Sequence, residues 1–296
     1  MSCFRLVEEL KGRFPVKMMC DLLDVSRSGF YEWRSREPSE RQIVDQMLTE
    51  LILEIHDDSE QTYGAPRIKA ELADDHGISV GTKRVARLMR SAEISGIIKV
   101  KKNGQQVCIP GVRTAPDLVD RDFYVIEPNR FWVADITCIR TWEGWVYLAA
   151  VMDLFSRRIV GWSVANHMRA DLVVDALEMA VAARNPAPGL VHHSDRGSQY
   201  TALVFNQRCR KAGIEVSMGG RSAPHDNAVA ESFFSTIKKE CIHRQSWRTR
   251  EEVRAAIFHF IEVRYNQKRR HSTLGMKSPA EFERMHELEL QEALAR

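Results

Sequence analysis

Three β-forming runs follow one another between residues 131 and 164, and their connections are too short for a crossover helix. The runs are FWVADITCI (131–139), WVYLAAVMDLF (145–155) and RIVGWSV (158–164), all rich in β-branched and aromatic residues. Only a Glu143-Gly144 turn and a Ser-Arg-Arg turn part them, so they are expected to pair as an antiparallel meander. The period then changes. ADLVVDALEMAVAAR is an amphipathic helix, GLVHHSD a short buried strand, TALVFNQRCRKAG a helix ending at Gly213, and IEVSMGG another strand. Helices are expected from about 226 to 243 and 250 to 266. A meander followed by alternating helices and parallel strands specifies a mixed α/β sheet.

The first hundred residues read as helical. Val16, Met19, Cys20 and Leu23 fall at helical spacing, Val25-Ser26 interrupts them, and Ser26 can cap a second helix bearing Phe30, Tyr31 and Trp33. Residues 16–34 are thus predicted to form a helix–turn–helix, and 38–56 one longer helix. A second such unit spans 62–92. There Pro66 suits a first turn, His76-Gly77 a helix end, and a further helix starts near Gly81-Thr82. On that last helix Lys83, Arg87 and Arg90 share a face, with Arg84 beside them, as on a recognition helix that meets DNA. The plainer reading is a helical hairpin with a charged surface. Residues 98–122 mix glycine, proline and charge without periodicity and read as a linker. The expected domains are therefore a helical DNA-binding region (1–97), the linker, a mixed-sheet core (123–245) and a basic helical segment (246–296).

Charge is unevenly spread. Residues 238–277 hold 11 Lys and Arg against 4 Asp and Glu, while residues 1–100 hold 15 against 17. Such an excess suits a surface that meets polyanion, or a solvated helical face. No stretch approaches the roughly 18 apolar residues of a membrane span, and the N-terminus lacks a signal peptide's apolar core. The six cysteines (3, 20, 108, 138, 209, 241) form no Cys-x-x-Cys pair. That excludes a zinc site or disulfide framework and leads us to expect a cytoplasmic protein.

Three carboxylates lie where such a sheet gathers ligands, at strand ends and helix starts. Asp135 sits in the first strand among Trp132, Val133, Ala134 and Ile136, where an unpaired carboxylate is costly. Asp195 closes the strand of VHHSDRGSQY, and Glu231 lies on the helix of DNAVAESFFSTIKKE. At about 100° per residue, Val229, Phe233 and Ile237 form that helix's packing side. Glu231 and Lys238 coincide to about 20° on the opposite side, with Asn227 nearby. Seven residues is too far for a helical salt bridge, so mutual pairing does not account for them. Each acid alone reads more readily as structural. Together, from several elements, they are enough to hold the two Mg²⁺ ions of phosphoryl transfer on nucleic acid.

The interval between Asp195 and Glu231 is 35 residues, and a lysine follows the glutamate by seven. This Asp…Asp…Glu pattern resembles the DDE signature of retroviral integrases and related transposases. FWVADIT, HHSDRGSQY and HDNAVAESFFSTIKKE are similar to the integrase core of OrfB-type insertion-sequence transposases of the insertion-sequence-three kind. YNQKRRHSTLGMKSPAEF resembles that family's closing segment, and YGAPRIKAELADDHGISVGTKRVARLM its helix–turn–helix region. The resemblance implies an RNase H-like core in which Asp135, Asp195 and Glu231 bind two Mg²⁺ (or Mn²⁺). It implies that Lys238 contacts DNA near the element end, that water cleaves a strand, and that the exposed 3′-OH then attacks a second phosphodiester. It further implies DNA partners (terminal inverted repeats and target), a homo-oligomer on DNA, and a companion helix–turn–helix protein or frameshift fusion. Location at the bacterial nucleoid would follow.

Family position also favours DNA contact by Lys268, Arg269 and Arg270, and a substrate-side loop at Arg196. Asp153 reads as a cap of the Ser156–Arg158 turn. His192 and His193, adjacent on a strand, face opposite ways, and Mg²⁺ prefers oxygen. Asp226 is a candidate helix cap, Ser278 to Glu281 a capping box, and the acidic last helix a subunit contact or an exposed face. Retroviral integrases begin with a His-His-Cys-Cys zinc unit, which has no counterpart before residue 100. Two rivals remain: a catalytically silent DNA-binding descendant, and a metal-dependent nuclease.

Overall fold

The computed structural model describes residues 3–97, 125–218 and 228–295. The linker expected over 98–122, and His225, Asp226 and Asn227, lie outside the described residues. Helices α1 (Cys3–Leu10), α2 (Val16–Leu22) and α3 (Arg27–Ser35) enclose a small core of Val7, Met19, Cys20 and Phe30. Ser26 Oγ accepts the Gly29 N–H at 3.1 Å, so the serine caps α3 as its position predicts. Helix α4 (Glu40–Asp58) opens with a Ser39–Gln42 capping box. Helices α5 (Ala65–Asp74) and α6 (Thr82–Ser91) pack on its C-terminal half around Ile52, Ile68, Leu72 and Val85.

The core sheet comprises β1 (Phe131–Thr141), β2 (Gly144–Asp153), β3 (Ile159–Ala165), β4 (Val191–Ser194) and β5 (Glu215–Met218), in the order β3-β2-β1-β4-β5. The first three strands are antiparallel, and β4 and β5 run parallel to β1. This is the RNase H-like mixed sheet. Strand alternation splits the core into two layers. Trp132 and Ala134 face α7 (Ala170–Arg184) and α9 (Leu203–Lys211). Val133 and Ile139 face α10 (Ala228–Glu240) and α11 (Arg250–Phe258). Among the described residues, no helix is long and apolar enough to cross a membrane.

Some elements differ from expectation. The helix expected over TALVFNQRCRKAG is present as α9, starting at Leu203, and a short helix α8 (Ser198–Thr201) that was not expected precedes it, separated by the extended Ala202 (φ −61°, ψ 141°). Tyr200 of α8 is buried against His192 and Phe205. Asn206 Nδ2 donates to the carbonyls of Tyr200 and Ala202 (3.3 and 3.0 Å), satisfying groups the end of α8 leaves open. The helix expected to 243 ends at Glu240 with a 3₁₀ turn beyond, and α11 continues as a π-helical turn over His259–Tyr265.

Helix α12 (Pro279–Leu294) is capped by Ser278, which accepts the Glu281 N–H at 3.2 Å; Glu281 itself pairs with Lys277. The capping box is therefore only half made. Glu287, Glu289 and Glu292 are exposed as expected for the acidic last helix, but Glu283 is not. It is buried, bound to Ser156 Oγ (2.7 Å), Arg158 (2.7 Å) and Arg184, and fixes α12 to the β2–β3 turn. Asp153 belongs to that turn: fully buried, it accepts the Phe155 and Asn129 N–H groups at 2.9 and 2.7 Å. Burial pushes its carboxyl up to about 6 against those two hydrogen bonds.

Candidate active site

Asp135 lies on the same face of β1 as Val133, so its carboxylate projects to the side where α10 packs. Its Oδ1 accepts the Ile136 N–H at 2.7 Å. Burial pushes the carboxyl up to about 7, and the negative charges of Asp195 and Glu231 push in the same direction. The Ile136 hydrogen bond and the charge of Lys238 oppose the shift. Four groups from β1, the end of β4 and α10 thus share one electrostatic field. The helical-wheel reading of α10 holds: Phe233 and Ile237 are buried, Glu231 is exposed and Lys238 half-buried.

Asp195 follows β4 and is exposed. Its Oδ1 accepts the Gly197 N–H at 2.9 Å, so the turn residue and the functional candidate are one and the same. Gly197 has an ordinary backbone, with φ −58°, and a side chain there would press only on the ends of two neighbouring side chains. A Cβ there would lie 3.0 Å from Asp195 Oδ1 and 2.9 Å from Gln199 Oε1. The histidines separate as strand geometry requires. His192 sits among Tyr200 and Phe205 with its pKa lowered by burial to about 4, while His193 Nδ1 meets Ser217 Oγ at 2.9 Å. Among the described residues, no three acids, histidines or cysteines are close enough to form a finished metal cage. The donor chemistry nonetheless suits a hard divalent cation, since Asp135, Asp195 and Glu231 offer carboxylate oxygens from β1, the end of β4 and α10.

The basic residues divide sharply. On α6, Lys83 and Arg90 are exposed, but Arg84 and Arg87 both bind Asp45 of α4, at 2.8 and 2.6 Å. Lys268 keeps its side chain at the surface. DNA contact by Arg269 and Arg270 is corrected by their surroundings, for both are about 5% exposed (6% and 5%). Arg269 makes a bidentate pair with Glu240 (2.8 and 2.7 Å), and Arg270 pairs with Glu71, Asp74 and Asp75. Most of the N–H donors of guanidinium groups so enclosed are already spent on carboxylates, and little of either group reaches the surface. Burial raises the Glu240 carboxyl, but the hydrogen bonds and charge of Arg269, with Arg67 and Arg264 behind, bring it below its ordinary value. Glu240 had a signal in sequence: it lies seven residues after Phe233, on the apolar side of α10, where an acid implies a buried partner. Asp45 had none, because its partners are about 40 residues away (39 and 42).

Residues 126–224 match the integrase core domain family, 212–279 a second integrase core domain family, and 43–102 the HTH-like domain family. The fold and site therefore define a polynucleotidyl transferase of the integrase-core class. The chain is 38% identical over 279 residues to the transposase InsF of insertion sequence IS3A from Escherichia coli K12, covering 94% of this chain and 96% of that one. It is 39% identical over 271 residues to the 31 kDa protein of insertion element IS600 from Shigella sonnei (91% and 99% covered). The HTLV-2 integrase catalytic core, solved with magnesium, is 18% identical with a TM-score of 0.39, covering 52% of this chain and 95% of that one. The chain belongs to the family of IS3-type insertion-sequence transposases.

Proposed function

We propose that this transposase cleaves a DNA strand at each end of an insertion element and joins the freed 3′-OH to a second phosphodiester. The observation that carries the reading is topological: Asp135 is on β1, Asp195 follows β4, which pairs with β1, and Glu231 is on α10, which packs on the same face of β1. Asp135, Asp195 and Glu231 would hold two divalent cations, Mg²⁺ or Mn²⁺, which supply activation of the attacking oxygen and neutralisation of the leaving one. Asp135 must give up its proton to take that role, and its burial and like-charged neighbours make the ionised form eager for a cation. The Gly197 N–H holds the Asp195 carboxylate in a fixed direction. Lys238 offers an ammonium to the phosphate beside the scissile bond, with Asn227 and Arg196 assigned to the substrate side of the same site.

In this reading residues 1–97 recognise DNA, 123–245 carry the chemistry, and 246–296 tie the two together. On α6, Lys83 and Arg90 are the free phosphate contacts, while Arg84 and Arg87 share the charge of Asp45. The partners are terminal inverted repeats and target DNA, a second copy of the chain on that DNA, and a companion helix–turn–helix protein, separate or fused by frameshift. The test is direct. Purified chain incubated with element-end DNA and Mg²⁺ or Mn²⁺ should nick and join the ends, and a chelator should stop both. A folded chain that binds the ends yet leaves them uncut would leave a silent DNA-binding protein; cutting an RNA–DNA hybrid in preference would leave a nuclease.

A further inference from the structure

Away from the three carboxylates, a dense polar cluster joins the second helical unit to the C-terminal segment. Tyr63 Oη donates to the Lys268 carbonyl (3.1 Å) and accepts the Arg270 N–H (2.9 Å). Arg264 binds Glu60 (2.6 Å) and the Ser59 carbonyl (2.8 Å), and Arg67 Nε donates to the Arg270 carbonyl (3.0 Å). At the centre lies Glu240, 6% exposed, held by Nε and Nη2 of Arg269 and with Arg67 Nη1 at 3.7 Å. Glu240 is the last residue of the helix that carries Glu231.

We propose that Glu240 is a positioning residue: through Arg269 and Arg67 it ties the helix–turn–helix unit to α10 and so sets where Glu231 stands. The proposal rests on the reading that Glu231 is a catalytic acid. Nine residues of helix separate the two, a lever of about 13 Å. A tilt of about 5° at Glu240 displaces the backbone of Glu231 by roughly 1 Å, and a misplacement of that size can cost about a hundredfold in rate. Arg67 gives the device its input. It stands in the first turn of α5, which shares a core with the basic helix α6. Seating α6 on DNA would therefore act on α10 through Arg67 and Glu240.

The test uses the full chain, element-end DNA and Mn²⁺, with variants Glu240→Gln, Arg67→Gln and Glu231→Gln. Three quantities are read: the Mn²⁺ concentration for half-maximal cleavage, the Mn²⁺-induced rise in thermal midpoint without DNA, and end-DNA affinity in chelator. Glu240→Gln should raise the Mn²⁺ requirement about tenfold, with end-DNA affinity within about twofold of wild type. It should also lose most of the Mn²⁺-induced rise in midpoint. Arg67→Gln should raise the requirement about threefold. A slower Glu240→Gln with an unchanged Mn²⁺ requirement and midpoint rise would mean that Glu240 only supports the fold, and would overturn the proposal. If Glu240→Gln does not fold, Arg67→Gln decides by the same criterion. Glu231→Gln separates the two levels: cleavage surviving in it sinks the catalytic reading, whereas an inert Glu231→Gln beside a wild-type-like Glu240→Gln sinks the positioning role alone.

Discussion

Asp135 holds its proton more tightly in the folded chain than in the unfolded one, because its carboxyl is pushed up from 3.8 to about 7. The stability it contributes is therefore full below about pH 4 and is lost as pH rises through about 7. Asp135→Asn, which cannot ionise, should gain on wild type by up to about 4 kcal/mol between about pH 4 and about pH 8. Urea unfolding without divalent ions checks this; an equal difference at both pH values would contradict it. Arg269 makes the opposite point about charge. Its place in a basic run suggests phosphate, yet its guanidinium is enclosed by Glu240. Arg269→Gln should thus cost about 3 kcal/mol of stability, by stranding Glu240, rather than simply weaken DNA binding. Thermal melts beside a binding titration would distinguish these effects.

At the scale of elements, the close approach of β3 to α7 depends on Gly161. A Cβ there would come 2.2 Å from the Ala176 carbonyl and 2.6 Å from the Ala180 nitrogen, both backbone. Gly161→Ala should destabilise the chain by about 1–3 kcal/mol, read as a lowered urea midpoint; an unchanged midpoint would mean that the two elements can part freely. Glu283→Ala should likewise release α12 from Arg158 and Arg184, seen as faster proteolysis of the last helix while the core stays resistant. The meander and the capped helices were legible because short turns, Ser26 and Pro66 act locally. The short α8 before α9 was not, since four residues are too few for a helical period to show, and what is seen there is the burial of Tyr200 against other elements. The same divide runs through the site. Spacing and helical phase marked Asp195, Glu231 and Lys238, whereas the partners of Arg84, Arg87 and Arg270 lie on other elements and left no trace near them in sequence.

At the scale of the molecule, the second helical unit is clasped to the C-terminal segment by Arg264, Arg270 and Lys277, so the HTH-like and integrase-core parts share one frame. The charge left for DNA is smaller than the count of basic residues suggests. Neutralising Lys83 or Arg90 should weaken binding to all sequences alike and lower the salt slope by about one phosphate contact each. Titrations over a range of salt would show this, and an unchanged slope would place DNA elsewhere. The central claim is that Asp135, Asp195 and Glu231 make one phosphoryl-transfer site. It is tested most directly by strand cleavage and joining of element-end DNA by Glu231→Gln in Mg²⁺ or Mn²⁺, beside its affinity for the same DNA in chelator. The account predicts loss of both reactions with affinity retained; a Glu231→Gln chain that still cleaves and joins the ends would contradict it.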